Sequence, residues 1–395
     1  MRQKLSFSTS LVLAAGIFAL SGCLKVRTAT MPGRDYTPEA MWIHENLMMC
    51  TNAHHPGIPT NDWKNQRAFL EGKRATYRSA FVEKISAVLK NEMPRRVPKV
   101  VVYPFGGSDF GGALATFPEA LEVMTISLES AGDPRGLPPK SAAKIKAQMA
   151  EAKKYLGEFF DRTDNSHQNV WGMENGILPA QLTFSIGEAA AFGLVPASLR
   201  FFRIESNGTF HYYVDSEIAA LEKTKGEKVH GGWFNPKCQH AFLNMEIRYR
   251  RPDGNIVIHR HVSADLGNAR FAGSPLETYL ISLGKVSMMT KGASYLPWKS
   301  DFSAIKNYMC AYAEVMVSDS TGVLPWDAEK AGLSVKTFGN FDAAYVSAAD
   351  AEAVAQSVKL RDYFRKQPHR DLAVRYGYSE THGYPHLLVY LPKSI

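Results

Sequence analysis

Cysteine is scarce in this chain, which has only four among its 395 residues. Their spacing matches neither a zinc nor an iron–sulfur site, so the cysteines indicate no metal centre. Apart from Cys23, three cysteines remain, so at most one internal disulfide can form, and Cys50 with Cys238 is the pair to test. Cys310 lies in an apolar helical pattern and is expected to be a buried thiol.

Long apolar runs and dense basic segments are also lacking. The stretch Leu11–Leu20 is apolar but too short to span a bilayer. No run of lysine and arginine carries interleaved aromatic residues, which argues against a nucleic-acid-binding protein. The net charge is +8, or +6 without the two cations Arg2 and Lys4 that precede the apolar stretch. This mild balance suits a solvated surface near anionic lipid head groups. The sequence identifies no cofactor.

The amino terminus has the organisation of an export signal. A basic start and the apolar stretch are followed by Leu20-Ser21-Gly22-Cys23, which resembles the lipobox of bacterial lipoproteins. The resemblance implies removal of residues 1–22 as a signal peptide and acylation of Cys23, with palmitate or similar chains. Two or three such chains give stable membrane anchoring. The alternative, a cytosolic core helix followed by a stray cysteine, is disfavoured by the small residues before Cys23.

The position after Cys23 bears on the membrane that holds the protein. Leu24 stands where the familiar inner-membrane retention signal has aspartate. We therefore expect a lipid-anchored protein of the bacterial cell envelope, at the outer membrane and facing the periplasm or the cell surface.

The rest of the chain is long enough for one large α/β domain or two smaller ones. Apolar residues three or four apart predict helices before Pro94, and Asn207-Gly208 predicts a hairpin. A second hairpin is expected at Pro252-Asp253-Gly254, and Pro275–Met289 is a candidate helix. The expected regions are a tether over 23–38, a helical segment over 39–98, and an α/β domain over 99–395 with a hairpin-rich portion at about 197–265.

The chain is organised around the stretch that begins at Lys99. The β-branched run Val100–Tyr103 predicts a buried strand, a glycine-rich turn follows, and Val123–Leu128 predicts a second strand. The run Val315–Ser318 is a third strand candidate, and an acid follows each of the last two. We expect a Rossmann-like, mainly parallel sheet with added antiparallel hairpins, which binds ligands beyond the carboxyl ends of its strands. The candidate ligand-binding residues at that edge are Gly106, Gly107, Ser108, Asp109, Glu129, Asp319 and Ser320.

Two resemblances bear on this stretch. Val100–Gly112 resembles the first strand and glycine loop of nucleotide-dependent methyltransferases of the doubly wound type, Glu129 the acid of their second strand, and Leu387–Lys393 their closing strand. The loop departs from the family's acid-x-G-x-G-x-G pattern, and an exported protein is not supplied with adenosylmethionine, so the resemblance implies the fold without the cofactor. Tyr103-Pro104-Phe105 and Asp319–Gly322 resemble segments of a group of uncharacterised bacterial envelope proteins. That group has no assigned activity, so the resemblance implies no catalytic residue.

The polar residues at the strand ends have two interpretations. Ser108 lies where a hydrolase has its nucleophile, but Phe110 replaces the second glycine of G-x-S-x-G, so helix capping by Ser108 or Asp109 is favoured. In one interpretation, the acids bind a small cationic or hydroxyl-rich ligand. In the other, they only hold the loops, and Glu129 pairs with Arg135.

Histidines form a second group of candidates. His259 and His261 lie on one face of a strand, and Glu246 is expected on the same face of the partner strand. Such a set suits a transition metal, but an ordinary wet sheet face is favoured. Glu380 and His382 are a candidate acid and base in a C-terminal loop.

Three function classes remain open. A binding or scaffold protein of the envelope is favoured, and no catalytic residue is assigned. The alternatives are a hydrolase acting on an envelope or extracellular substrate, and a methyltransferase-like fold, active or degenerate. A histidine that is held by an acid within hydrogen-bond reach of Ser108 would indicate the hydrolase.

Overall fold

The computed structural model describes residues 33–51, 57–162, 170, 172–173, 177–223, 240–344, 346–380 and 385–393. The lipobox with Cys23, most of the expected tether, Cys238 and His382 lie outside these residues. The chain from Gly33 onwards forms one compact unit. Within the described ranges, no helix combines the length and the apolar character needed to cross a membrane.

Ten strands form one mixed sheet in an α/β fold. The strands are β1 (Val100–Pro104), β2 (Glu122–Ser127), β3 (Val195–Ile204), β4 (Phe210–Tyr212), β5 (Asn244–Arg250), β6 (Ile256–Ser263), β7 (Val286–Thr290), β8 (Ala313–Ser318), β9 (Leu333–Gly339) and β10 (His386–Pro392). Their order across the sheet is β4-β3-β5-β6-β2-β1-β7-β8-β10-β9.

The sheet has a parallel centre and two antiparallel flanks. Strands β6, β2, β1, β7 and β8 run parallel to one another. The pairs β3–β4, β3–β5 and β5–β6 on one side, and β8–β10 and β9–β10 on the other, are antiparallel. The expectation of a mainly parallel sheet is therefore wrong for the sheet as a whole, because the added hairpins join the same sheet and extend it at both edges.

The three strands expected from the apolar runs are present and mutually parallel. Val100–Tyr103 lies in β1, Val123–Leu128 overlaps β2, and Val315–Ser318 lies in β8. The loops that follow them therefore meet at one edge of the sheet, which we call the carboxyl edge. The segment Pro275–Met289 was expected to be one helix. The helix instead ends at Ser282, and the chain continues into β7.

Both predicted hairpins are confirmed. Strands β3 and β4 pair around Asn207-Gly208, where Gly208 adopts a φ of 82° that this turn requires. Strands β5 and β6 pair around Pro252-Asp253-Gly254.

Helices cover both faces of the sheet. They are α1 (Thr37–Trp42), α2 (Thr60–Tyr77), α3 (Glu83–Lys90), α4 (Phe110–Thr116), α5 (Ala142–Arg162), α6 (Ala180–Ala191), α7 (Asp215–Lys223), α8 (Asn268–Phe271), α9 (Pro275–Ser282), α10 (Ser303–Tyr312), α11 (Pro325–Lys330) and α12 (Ala351–Lys366).

The core consists of two hydrophobic clusters, one on each face. Side chains alternate along β1, so Val101 and Tyr103 join one cluster and Val102 joins the other. Residues of the N-terminal helices, including Leu70 and Tyr77, belong to the same cluster as Val101. These helices therefore pack on one face of the central sheet.

Candidate functional site

The loops at the carboxyl edge contain most of the strained backbone of the described chain. Four residues other than glycine have a positive φ in the described ranges, and three of them are Phe105 (61°), Ser294 (51°) and Tyr295 (59°). Phe105 follows β1, and the other two follow β7. Left-handed backbone at such residues is held only by the surrounding structure, and it concentrates at functional sites. This edge is therefore a candidate ligand site.

Asp109, at the start of α4, is buried within its own glycine loop. Its Oδ2 lies 2.6 Å from the Lys291 Nζ and accepts a 2.8 Å hydrogen bond from the Tyr103 hydroxyl. Gly112 provides the room, because a Cβ there would lie only 2.4 Å from the Asp109 Oδ1. Burial raises the pKa of Asp109, while the charge of Lys291 and its hydrogen bond oppose that rise. The carboxylate is thus held by the protein itself.

Glu188 on α6 brings a second carboxyl to the same place. Its side chain is fully buried, and its Oε2 accepts a hydrogen bond from the Gly111 backbone N–H. Burial, followed by the nearby charge of Asp109, raises the pKa of Glu188 well above the usual value. Two buried acids next to one lysine favour a neutral Glu188 and an ionised Asp109 paired with Lys291. We call these three residues the buried charge cluster.

Asp319 holds three loops together. Its carboxylate accepts hydrogen bonds from the backbone N–H groups of Gly292 (2.9 Å), Thr321 (2.9 Å) and Tyr378 (3.1 Å). Gly377 is needed beside it, because a Cβ there would lie 1.9 Å from the Asp319 Oδ2. The side chain of Asp319 is fully buried. Its contacts therefore account for this acid as a loop anchor.

The structure brings the ends of β1 and β8 together through the end of β7. Lys291 pairs with Asp109, and the next residue, Gly292, donates to Asp319. Ser108 and Ser320 are buried at the same edge, and neither hydroxyl has a hydrogen-bond partner among the described residues.

Glu129 follows β2 and is half-buried. Its backbone oxygen accepts a 2.7 Å hydrogen bond from the His261 Nε2. The guanidinium of Arg135 bonds Asp133 and also pairs with Glu222.

The prediction that this face of β6 is exposed to solvent is wrong, because His259 and His261 are buried. The His259 Nδ1 lies 2.7 Å from the Ser185 Oγ, and Thr125 Oγ1 bridges the His259 Nε2 (3.0 Å) and the His261 Nδ1 (3.2 Å). Burial lowers the pKa of His259 well below its usual value, and it also lowers the pKa of His261. Helix α6 supplies Ser185 and covers this face.

Glu246 lies on the opposite face from the histidines. In the register of β5 and β6 it is paired with Arg260, and its Oε2 accepts a 2.7 Å hydrogen bond from the Arg260 Nε. The expected His-x-His and Glu set is therefore not assembled. Among the described residues, no three histidine, cysteine, aspartate or glutamate side chains are grouped to hold a metal ion.

A cavity of about 380 Å³ opens at the carboxyl edge beyond β7, and we call it the edge pocket. Its walls are the loop that follows β7 and the start of α12. Two buried aromatic residues, Tyr295 and Trp298, pack edge to face with ring centroids 4.8 Å apart. The acids that line it are Asp301, Asp350 and Glu352, accompanied by Lys299 and Gln356.

The acids of the edge pocket are not equivalent. The Asp350 side chain caps α12 by accepting a 3.0 Å hydrogen bond from the Ala353 N–H. Asp301 and Glu352 are exposed at the pocket. The Trp298 Nε1 is buried with no hydrogen-bond partner in the described part of the chain. Aromatic side chains beside carboxylates give this pocket both apolar and polar contacts for a ligand.

Lys291, Glu188 and the edge pocket were not predicted from the sequence. Glu188 has a detectable signal, because it is the single charged residue in the otherwise uncharged segment Ala180–Ala191. Lys291 follows an apolar run that the sequence reasoning placed in a helix. Comparison with protein-family models, with curated proteins and with solved structures finds no match to this chain.

Proposed function

We propose that this protein is a lipid-anchored binding protein of the bacterial cell envelope whose ligand is rich in hydroxyl groups, such as a saccharide. The lipobox at Leu20–Cys23 supports the location. The edge pocket, with its two buried aromatic residues and its exposed acids, supports the binding function and is the observation that carries it.

A Rossmann-like arrangement of the sheet is part of this proposal. The parallel strands stand in the order β6-β2-β1-β7-β8, so the first of them in the chain, β1, is central and the order reverses there. Doubly wound sheets share this order and bind ligands in the crevice beyond their carboxyl ends. The likeness of Leu387–Lys393 to the closing strand of doubly wound methyltransferases is consistent with β10, which pairs with β8.

The ligand is placed in the edge pocket and not in the glycine loop. The Asp109 carboxylate lies against Gly112 and would repel a nucleotide phosphate there. Asp109 and Asp319 already have partners within the protein, Lys291 and the loop amides. Their contacts favour the interpretation in which the strand-end acids hold the loops.

Binding is favoured over hydrolysis by the placement of serine and histidine. The hydroxyl of Ser108 has no hydrogen-bond partner among the described residues, so none of the described histidines is in place to activate it. The serine–histidine pair that does form, Ser185 with His259, is buried and has Thr125 where a hydrolase needs an acid.

The chemistry of the edge pocket suits hydroxyl groups. Carboxylates accept hydrogen bonds from hydroxyls, and the apolar face of a sugar ring packs on aromatic side chains such as Tyr295.

A thermal-shift screen of saccharides and amino sugars against the full chain in detergent tests the proposal. The strongest hit is then titrated by calorimetry against wild type, Glu352→Gln and the control Asp342→Asn, an exposed acid outside the edge pocket. We expect Glu352→Gln to weaken binding about tenfold, since a hydrogen bond to a charged group contributes about 1.5–3 kcal/mol. The control should bind as wild type does. A screen without hits, or equal affinity for Glu352→Gln, contradicts the proposal.

A further inference from the structure

A second cavity lies at the opposite, amino-terminal edge of the sheet and has a volume of about 330 Å³. It is bounded by the end of α3, by the segment that leads into β1, and by the segment that leads into β2. Its volume falls within the range of about 300–1,000 Å³ that is usual for small-molecule sites. We call it the amino-edge pocket.

The interior of the amino-edge pocket is apolar. Leu89 and Phe117 belong to the buried core, and Met93 and Val97 are half-buried and pack against it. The floor is fixed by backbone bonds at the start of the strands, where the Lys99 carbonyl accepts from the N–H groups of Leu121 and Glu122. A rigid apolar floor binds a hydrocarbon group without reorganisation.

The rim of the amino-edge pocket is cationic. Lys90, Arg95 and Lys99 line it and are exposed. Within the described residues, neither Lys90 nor Arg95 forms an ion pair, and Lys99 lies 4.0 Å from Glu119, with both side chains mostly exposed. The rim therefore has positive charge that the protein pairs only weakly.

The partial negative charges of the nearby helix ends do not neutralise the cations of the rim. Helices α3 and α4 both end at the pocket, and each helix C-terminus carries the equivalent of roughly half a negative charge. Together with Glu119 this gives about two negative charges against three cations. About one positive charge is left for a ligand.

We infer that the amino-edge pocket binds a single-chain anionic amphiphile, such as a medium-chain fatty carboxylate. Its hydrocarbon chain packs on Leu89 and Phe117, and its carboxylate lies at the rim formed by Lys90, Arg95 and Lys99. The site is at the edge of the sheet opposite the edge pocket, and it stands independently of the proposed saccharide binding.

Calorimetric titration of decanoate tests this inference. The protein used is the mature chain from residue 23 with Cys23→Ser, because the apolar stretch within residues 1–22 and the acyl chains would both need detergent, itself an amphiphile. Decanoate should bind, and decyltrimethylammonium, which has the same chain and the opposite charge, should bind at least tenfold more weakly. Equal binding of the two amphiphiles, or no binding of decanoate, would overturn the inference.

Variants locate the binding site. Each of Lys90→Gln and Arg95→Gln should weaken decanoate binding up to about fivefold, the effect of one exposed ion pair. The control Arg96→Gln removes an exposed cation next in the chain that does not line the pocket, and it should leave binding unchanged. Val97→Phe fills the cavity and should abolish binding while thermal melts show a folded protein. Loss of binding in Arg96→Gln as in Arg95→Gln, or full binding in Val97→Phe, would place decanoate elsewhere.

Discussion

Replacement of Lys291 by methionine isolates the contribution of the buried charge cluster. The Lys291 Nζ lies 2.6 Å from the Asp109 Oδ2, and the two side chains are 2% and 1% exposed. Methionine keeps the length of the side chain and removes the charge, so Asp109 loses its cationic partner in a fully buried position. Breaking a buried pair by removing one partner destabilises a protein by about 3–5 kcal/mol. For a chain of 395 residues this corresponds to a fall in Tm of roughly 4–6 °C.

The destabilisation should depend on pH. Burial already raises the pKa of Asp109 above its unfolded value, and Lys291 opposes that rise, so Lys291→Met raises the pKa further. The folded variant then holds a proton that the unfolded chain has released above about pH 4. The stability of the variant therefore falls as pH rises from about 4 to the raised pKa of Asp109 in the folded variant. The deficit of Lys291→Met should be larger at pH 8 than at pH 5.

Urea unfolding followed by circular dichroism at both pH values measures this deficit. The double variant Lys291→Met with Asp109→Asn is the matched control, because it leaves no buried charge at the pair and should recover most of the stability. A loss of unfolding free energy below about 1 kcal/mol at pH 8 would refute the reasoning, since a buried carboxylate without a partner destabilises the fold by more than that. Failure of Asp109→Asn to rescue would show that the lysine acts through packing alone.

Two further predictions concern the anchor and the histidines. Cys23→Ser should abolish incorporation of a fatty-acid analogue in metabolic labelling, because serine supplies no thiol, and label on the variant would contradict the lipoprotein proposal. The lowered pKa values of His259 and His261 mean that the unfolded chain takes up protons the folded chain excludes, so these residues remove stability as pH falls below about 6.5. His259→Gln should reduce the slope of unfolding free energy against pH by up to about 1.4 kcal/mol per unit between pH 4.5 and 6, and an unchanged slope would show that His259 is not buried neutral.

The parallel centre of the sheet could be predicted from local sequence. Val100–Tyr103 and Val123–Leu128 are short, β-branched and bounded by turn residues, which is what buried strands require. Strand β7 could not be predicted, because Val286–Thr290 follows a helix after only a few residues and has two methionines, which suit either structure. With β7 assigned to a helix, Lys291 had no place at the carboxyl edge.

The contacts of the candidate site depend on tertiary structure. The alternation of His259 and His261 correctly puts them on one face, but it does not show that α6 covers that face with Ser185. Likewise, an acid at the end of a strand looks the same in sequence whether it faces a ligand or a buried lysine. Asp109 and Lys291 are far apart in the chain, so their pairing appears only in the folded protein.

The central claim is that the ligand binds in the edge pocket and not at the strand-end acids. Calorimetric titration of the saccharide hit against wild type, Glu352→Gln and Asp109→Asn, at a temperature where all three are folded, tests it most directly. We predict that Glu352→Gln binds about tenfold more weakly and that Asp109→Asn, though less stable, binds as wild type does. Unchanged affinity in Glu352→Gln together with lost binding in Asp109→Asn would place the ligand at the glycine loop and contradict the claim.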